Sequence, residues 1–174
     1  SPGADEPLPQ PLQVVYINEI RTRDGVLDKD AVELYNPGLS DVDVGGWYVS
    51  DNLDQPMKNP AISPNTVVPA GGYKVLENGV GGFILSVSSK GERAFLYSAQ
   101  GGILTGWVHG FHFEASEDGK NFARFVDSSG REQLIADQPS LGNGNGFPAL
   151  PQLSIVEIMY SPGFGSTEEY VRIR

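Results

Sequence analysis

Among the polar residues of this chain, the arrangement closest to a recognisable chemistry is a pair of acidic turns. Asp51-Asn52-Leu53-Asp54 lies where a strand runs out into a long loop, and Asp24-Gly25-Val26-Leu27-Asp28-Lys29-Asp30 forms the second. Calcium gathers six to eight oxygens from carboxylates, amide oxygens and backbone carbonyls. The candidate ligands are therefore Asp51, Asn52, Asp54, Asp28 and Asp30. Neither stretch carries the full Asp-x-Asp-x-Asp-Gly…Glu loop, and acidic turns are more often simply solvated. The expectation is no obligatory cofactor, with calcium the one metal worth testing.

Other site chemistries find less support. His109 and His112 stand three apart in Trp107-Val108-His109-Gly110-Phe111-His112-Phe113. On a regular strand that offset sends them to opposite faces. A zinc site would need a third protein ligand, and no further His or Cys exists to provide it. Gly-x-Ser-x-Gly is absent, so nothing selects a serine nucleophile. Gly142-Asn143-Gly144-Asn145-Gly146 is not followed by Lys-Ser/Thr and runs into Pro148 rather than a helix, which excludes a phosphate loop. Two acids across a cleft would serve a glycosidase, but a small domain with no implied cleft argues against it. Tyr48, Tyr73, Trp107, Phe111 and Phe113 could include a sugar-stacking platform. Trp107 and Phe111, flanked by Gly106 and Gly110, are the candidate ligand-binding pair. The reading is not an enzyme.

The elements that must position these residues are strands. Glycine (22) and proline (13) are too abundant among 174 residues for a helical protein, and short runs rich in Val, Ile, Tyr, Phe and Trp alternate with turn residues instead. The fold class is all-β. Net charge is −10, with 12 Lys and Arg against 22 acids. That balance excludes nucleic acid as a partner, since a duplex is bound by neutralising phosphates. No run approaches the eighteen apolar residues of a membrane span. Cysteine is absent, which removes disulfides and thiolate metal sites. The chain opens at Ser1 with Pro2, Pro7, Pro9 and Pro11 close behind, as a mature terminus after signal cleavage, or a trimmed chain, would.

Residues 1–12 read as a Pro-rich linker. Strands are expected near 14–20, 31–36, 41–50, 72–77, 82–87, 92–98, 103–108 and 122–126. The insert 51–64 is a long Pro- and Asn-rich loop, and loops of that length are more often functional than short turns are. A Gly- and Pro-rich linker over 144–152 closes this unit. Then the opening begins again: Ile17-Asn18-Glu19-Ile20 and Ala31-Val32-Glu33-Leu34 align with Ile155-Val156-Glu157-Ile158 and Tyr170-Val171-Arg172-Ile173. The organisation is one complete unit over 13–143 and the first two strands of a second, truncated repeat over 153–174. Two such strands are not stable alone, so 153–173 is expected to pair within the chain or with a neighbour by strand exchange.

The ordered series Ile17-Asn18-Glu19-Ile20, Val32-Glu33-Leu34-Tyr35-Asn36-Pro37, Val42-Asp43-Val44-Gly45-Gly46-Trp47, Val68-Pro69-Ala70-Gly71-Gly72-Tyr73 and Ser89-Lys90-Gly91-Glu92-Arg93-Ala94-Phe95 resembles a lamin tail domain. The end, Gln138-Pro139-Ser140-Leu141-Gly142-Asn143, resembles the close common to bacterial members. The resemblance spans roughly 14–143. It implies an immunoglobulin-like β-sandwich, no shared catalytic residues, and a place in tandem in exported or cell-surface bacterial proteins. The implied role is an interaction or scaffolding module with a protein or cell-surface partner, extracellular, periplasmic or at the cell surface. The alternative is a carbohydrate- or calcium-dependent surface-binding module. From the residues themselves, Trp47 after Gly45-Gly46 suits a plug between two sheets. Glu19, among apolar neighbours, is expected to be a hydrogen-bonded structural device, since an inward carboxylate must be paired.

Overall fold

The computed structural model describes residues 12–22, 29–80, 91–115, 120–146, 153–160 and 169–174. Every element among them is a strand, as the alternation requires: β1 (Tyr16–Arg21), β2 (Ala31–Tyr35), β3 (Val42–Asp43), β4 (Tyr48–Ser50), β5 (Val67–Val68), β6 (Tyr73–Glu77), β7 (Gly91–Gln100), β8 (Ile103–Glu114), β9 (Asn121–Val126), β10 (Glu132–Asp137), β11 (Ile155–Met159) and β12 (Tyr170–Ile173). One antiparallel sheet runs β10-β9-β1-β2-β6 and a second runs β4-β7-β8. β3 pairs with β5, and β11 with β12. The expected all-β sandwich is what the chain forms. The strand expected at 82–87 lies outside the described residues.

The core fills the space between the two main sheets. Ile17, Ile20, Val32 and Leu34 come from the first sheet, and Val49, Ala94, Leu96 and Phe113 from the second. Each fully buried aliphatic of this size contributes roughly 1.5–3 kcal/mol relative to exposure. Trp47 is 4 % exposed and belongs to this cluster, in the plug position its sequence suggested. The single strand expected over 41–50 is two short ones, with the Gly45-Gly46 turn between them. Gly46 has φ 86°, and a Cβ on Gly45 would stand 3.0 Å from the Pro64 Cα and the Asn65 nitrogen. Glycines there let the chain leave β5 and join β7 in the opposite sheet, with Trp47 at the crossing.

β5 and β10 were not anticipated. Val67-Val68 is too short to show a period, and Glu132-Gln133-Leu134-Ile135-Ala136-Asp137 shows no alternation. β8 is longer than the 103–108 expected and reaches Glu114. Along it Trp107, His109, Phe111 and Phe113 face inward, while Val108 and His112 face out.

Candidate functional site

A pair of buried glutamates closes the fold. β1 carries a β-bulge between Ile17 and Glu19, after which Glu19 stands directly opposite Glu33 on β2. Both side chains are fully buried. Glu19 accepts from the Asn121 amide, from the Ser140 backbone N–H at 3.0 Å and from the Ser140 hydroxyl at 2.6 Å. Glu33 accepts from the Asn18 amide at 2.8 Å and from the Gly142 backbone N–H. Asn145 adds bonds to the Asn18 backbone carbonyl at 3.0 Å and the Arg124 carbonyl at 2.9 Å. Burial pushes the Glu33 carboxyl up, against the Gly142 and Asn18 hydrogen bonds that favour its ionised form; Glu19 adds to the rise.

Unpaired buried carboxylates would be very costly. Here their oxygens are consumed in strapping residues 138–145 across the sheet. Glu19 is thus the hydrogen-bonded structural device expected of it. Its partners were not identifiable beforehand, because Ser140-Leu141-Gly142-Asn143-Gly144-Asn145-Gly146 reads as coil. The closing bonds run through Asn145, just past the boundary expected at 143.

A second polar network ties the sheets together at one edge. His109 on β8 accepts the Ile17 backbone N–H at its Nδ1 (2.9 Å), so its proton sits on Nε2, 2.9 Å from Glu132. A second proton would have to go onto Nδ1, facing that N–H. Burial lowers the His109 pKa, with Glu132 opposing the shift. Burial also works against ionised Glu132, but its hydrogen bonds from Arg124 and His109 together leave its pKa lowered. The Arg124 guanidinium lies 4.3 Å over the Tyr16 ring. His109 is therefore a joint between β8 and β1. His112, on the opposite face, is more than half exposed.

The aromatic pair does not form an exposed, coplanar platform. Trp107 and Phe111 are half-buried against the core, and the Trp107 indole N–H donates to the Val15 carbonyl at 2.9 Å. Trp107 lies parallel to His109 and Phe111 stands edge-on to it, which leaves the two rings nearly perpendicular. Tyr73 stacks on Tyr35 at 5.0 Å.

Of the acidic turns, 51–54 is described in full and 24–30 only at its end. Both Asp51 oxygens accept from Lys58 Nζ, at 2.9 and 3.0 Å, and Asn52 Oδ1 accepts the Asp54 backbone N–H at 2.9 Å. Asp30 is buried and bonded, and Asp28 lies outside the described residues. Among the described residues no three His, Asp or Glu side chains gather to hold a metal, and no helix could cross a membrane.

The final hairpin repeats the first in geometry as well as sequence. Ile155, Glu157, Ile158 and Met159 pair with Ile173, Arg172, Val171 and Tyr170, with a bulge between Ile155 and Glu157. Ile17, Glu19, Ile20 and Arg21 pair with Leu34, Glu33, Val32 and Ala31, with the bulge at the same point. The environments are opposite. Ile17, Ile20, Val32 and Leu34 are all 0 % exposed, whereas Ile155, Ile158, Val171 and Ile173 range from 54 % to 63 %. Where Glu33 faces Glu19, Arg172 faces Glu157 and pairs with it at 3.0 Å.

Compared with known proteins, no curated protein and no solved structure matches this chain. The family model described as Lamin Tail Domain matches residues 9–111, from the linker through most of β8. That is more than half of the chain, and it covers the buried Glu19–Glu33 pair, the Gly45-Gly46-Trp47 crossing and the β7–β8 hairpin. On that match and this sandwich, the chain belongs to the lamin tail domain family of immunoglobulin-like domains.

Proposed function

We propose that this chain is a non-catalytic interaction and scaffolding module of a longer exported or cell-surface bacterial protein, carrying one complete lamin-tail sandwich and the opening hairpin of a second. The observation that carries the reading is β11–β12. It copies the β1–β2 register down to the bulge, yet its four inward-type aliphatic side chains are uncovered. A two-stranded hairpin is marginal by itself, and clustered exposed apolar surface marks an interaction site. A sheet and flanking strands like those around β1–β2 would complete it.

Exchange with the opening hairpin of a neighbouring copy's first sandwich would be at odds with the strap over 138–145. Val156 would replace Asn18, removing the side-chain amide that bonds Asn145, and Arg172 would replace Glu33, removing the carboxylate that accepts the Gly142 N–H. The non-catalytic reading is supported by how these polar groups are spent: buried Glu19, Glu33 and His109, and Glu132 beside them, are each satisfied by structural partners. An active site instead keeps such groups poised toward a substrate.

The test is to compare residues 1–150 with the full chain. The two should melt at the same temperature, and only the full chain should bind an apolar-surface dye. A lower melting temperature for the shorter chain would place the hairpin in the first sandwich and overturn the tandem reading.

A further inference from the structure

The long loop after β4 is built to hold its shape. The buried Ser50 hydroxyl accepts the Asn52 N–H at 3.1 Å and lies 2.9 Å from the Gln55 carbonyl it donates to. The Lys58 N–H reaches the Gln55 carbonyl at 3.1 Å, and the Asn59 amide reaches the Val49 carbonyl at 3.0 Å. This braced loop lies beside the outer face of the β4-β7-β8 sheet. Arg93, Phe95 and Tyr97 alternate along that face of β7, and Tyr97 is buried, with the Asp54 charge close enough to help burial raise its pKa. Toward the Arg93 end an open cleft of about 430 Å³ remains, lined by Asp51, Asn52, Lys58, Glu92, Arg93 and His112.

The groups in this cleft sort by what they have left to offer. Asp51 is occupied by Lys58, Glu92 has a partner of its own, and His112 keeps its Nε2 side to offer while Nδ1 lies 3.8 Å from Glu114. Arg93 is exposed and has no ion pair among the described residues, and it stands directly across from His112 in the β7–β8 register. Among the described residues the Asn52 amide nitrogen and the remaining Lys58 N–H have no partner either. On a chain of net charge −10, this spot presents unused donors rather than acceptors. A guanidinium fork takes a carboxylate in a two-point hydrogen bond that a lone ammonium cannot match. No Trp, Tyr or Phe lines the cleft, so it lacks a stacking surface for a sugar ring.

We propose that this cleft binds a carboxylate side chain of an acidic peptide, with Arg93 as the anchor and Asn52, Lys58 and His112 as flanking donors. This rests on the reading of the chain as a protein-contact module and names the chemistry of one contact. A preformed, braced site loses little ordering entropy on binding.

The test is titration of the isotope-labelled full chain with the blocked peptide Ac-Gly-Glu-Gly-Glu-Gly-NH2, its Gln counterpart and polygalacturonate. The expected result is saturable shifts at Asn52, Arg93 and His112 with the Glu peptide alone. Arg93→Ala should weaken binding at least tenfold with unchanged melting, and Arg93→Lys should weaken it less. Equal binding by the Gln peptide, binding only of polygalacturonate, no saturable shift, or full affinity in Arg93→Ala would each overturn the proposal. None of these outcomes bears on the dye and melting comparison that tests the tandem reading, so the two can fail separately.

Discussion

The first and last hairpins of this chain share a pairing register and a bulge, and differ in what surrounds them. Around β1–β2 stand β9 on one side, β6 on the other and the second sheet across the core. Around β11–β12 no further strand is paired among the described residues. The same local geometry thus appears once buried and once bare. Strand pairing follows from local alternation. Burial follows from the rest of the sandwich, and so does most of the stability.

The comparison can be broken at several depths. The largest effect is expected at Trp47, which joins the two sheets in the first unit and has no counterpart around the last hairpin. Trp47→Ala should cost about 3–5 kcal/mol in urea unfolding; unchanged unfolding would remove it from the plug position. The register-equivalent isoleucines sharpen the point. Ile20→Ala should cost roughly 2–5 kcal/mol, whereas Ile158→Ala should stay within about 0.5 kcal/mol. Similar losses at both positions would mean the last hairpin is buried after all.

The glutamates of the two bulges come next. Glu19→Ala strands the Asn121 amide and the Ser140 N–H and should cost about 2–3 kcal/mol, with faster proteolysis at 138–146. Glu157→Ala removes only an exposed ion pair and a Tyr170 hydrogen bond, and should cost about 1 kcal/mol or less.

The smallest effects are two titrations of opposite sign. Glu33 has a raised folded pKa. Its protonation adds stability as pH falls through that pKa toward the ordinary carboxylate value, and the gain is lost again as pH rises through it. His109 has a lowered folded pKa. The fold therefore loses stability as pH falls from the ordinary imidazole range toward that depressed value. Between pH 7.5 and 5, Glu33→Gln should steepen the acid loss of stability and His109→Gln should flatten it. Parallel stability–pH curves for both variants and the parent would show that neither group carries the linkage.

Much of this fold was legible in the residues. Alternation located β1, β2, β6, β7 and β9, Trp47 after Gly45-Gly46 suited a plug between sheets, and Glu19 announced a paired carboxylate, but the break those glycines make in 41–50 was not legible. The sequence repeat of the hairpin was visible, although its shared bulge needed coordinates. The partners of the carboxylates were not visible, because nothing local distinguishes a Gly-Asn tether from a Gly-Asn strap that hydrogen-bonds a distant pair of glutamates. β10 was missed because its middle is apolar without a period. Trp107 and Phe111 looked available from their flanking glycines, yet inward parity along β8 turned both toward the core. Arg93 gave no signal at all. The role proposed for it rests on a cross-strand neighbour and on a loop that spends other polar groups on itself.

Hydrogen exchange of the full chain, read amide by amide in the two hairpins, tests the central contrast most directly. The backbone amides of β1 and β2 should exchange at least about 10³-fold more slowly than those of β11 and β12, which open without unfolding the sandwich. Equal protection of both hairpins in a monomeric sample would contradict the account, since the last hairpin would then already have the cover that this structure shows it to lack.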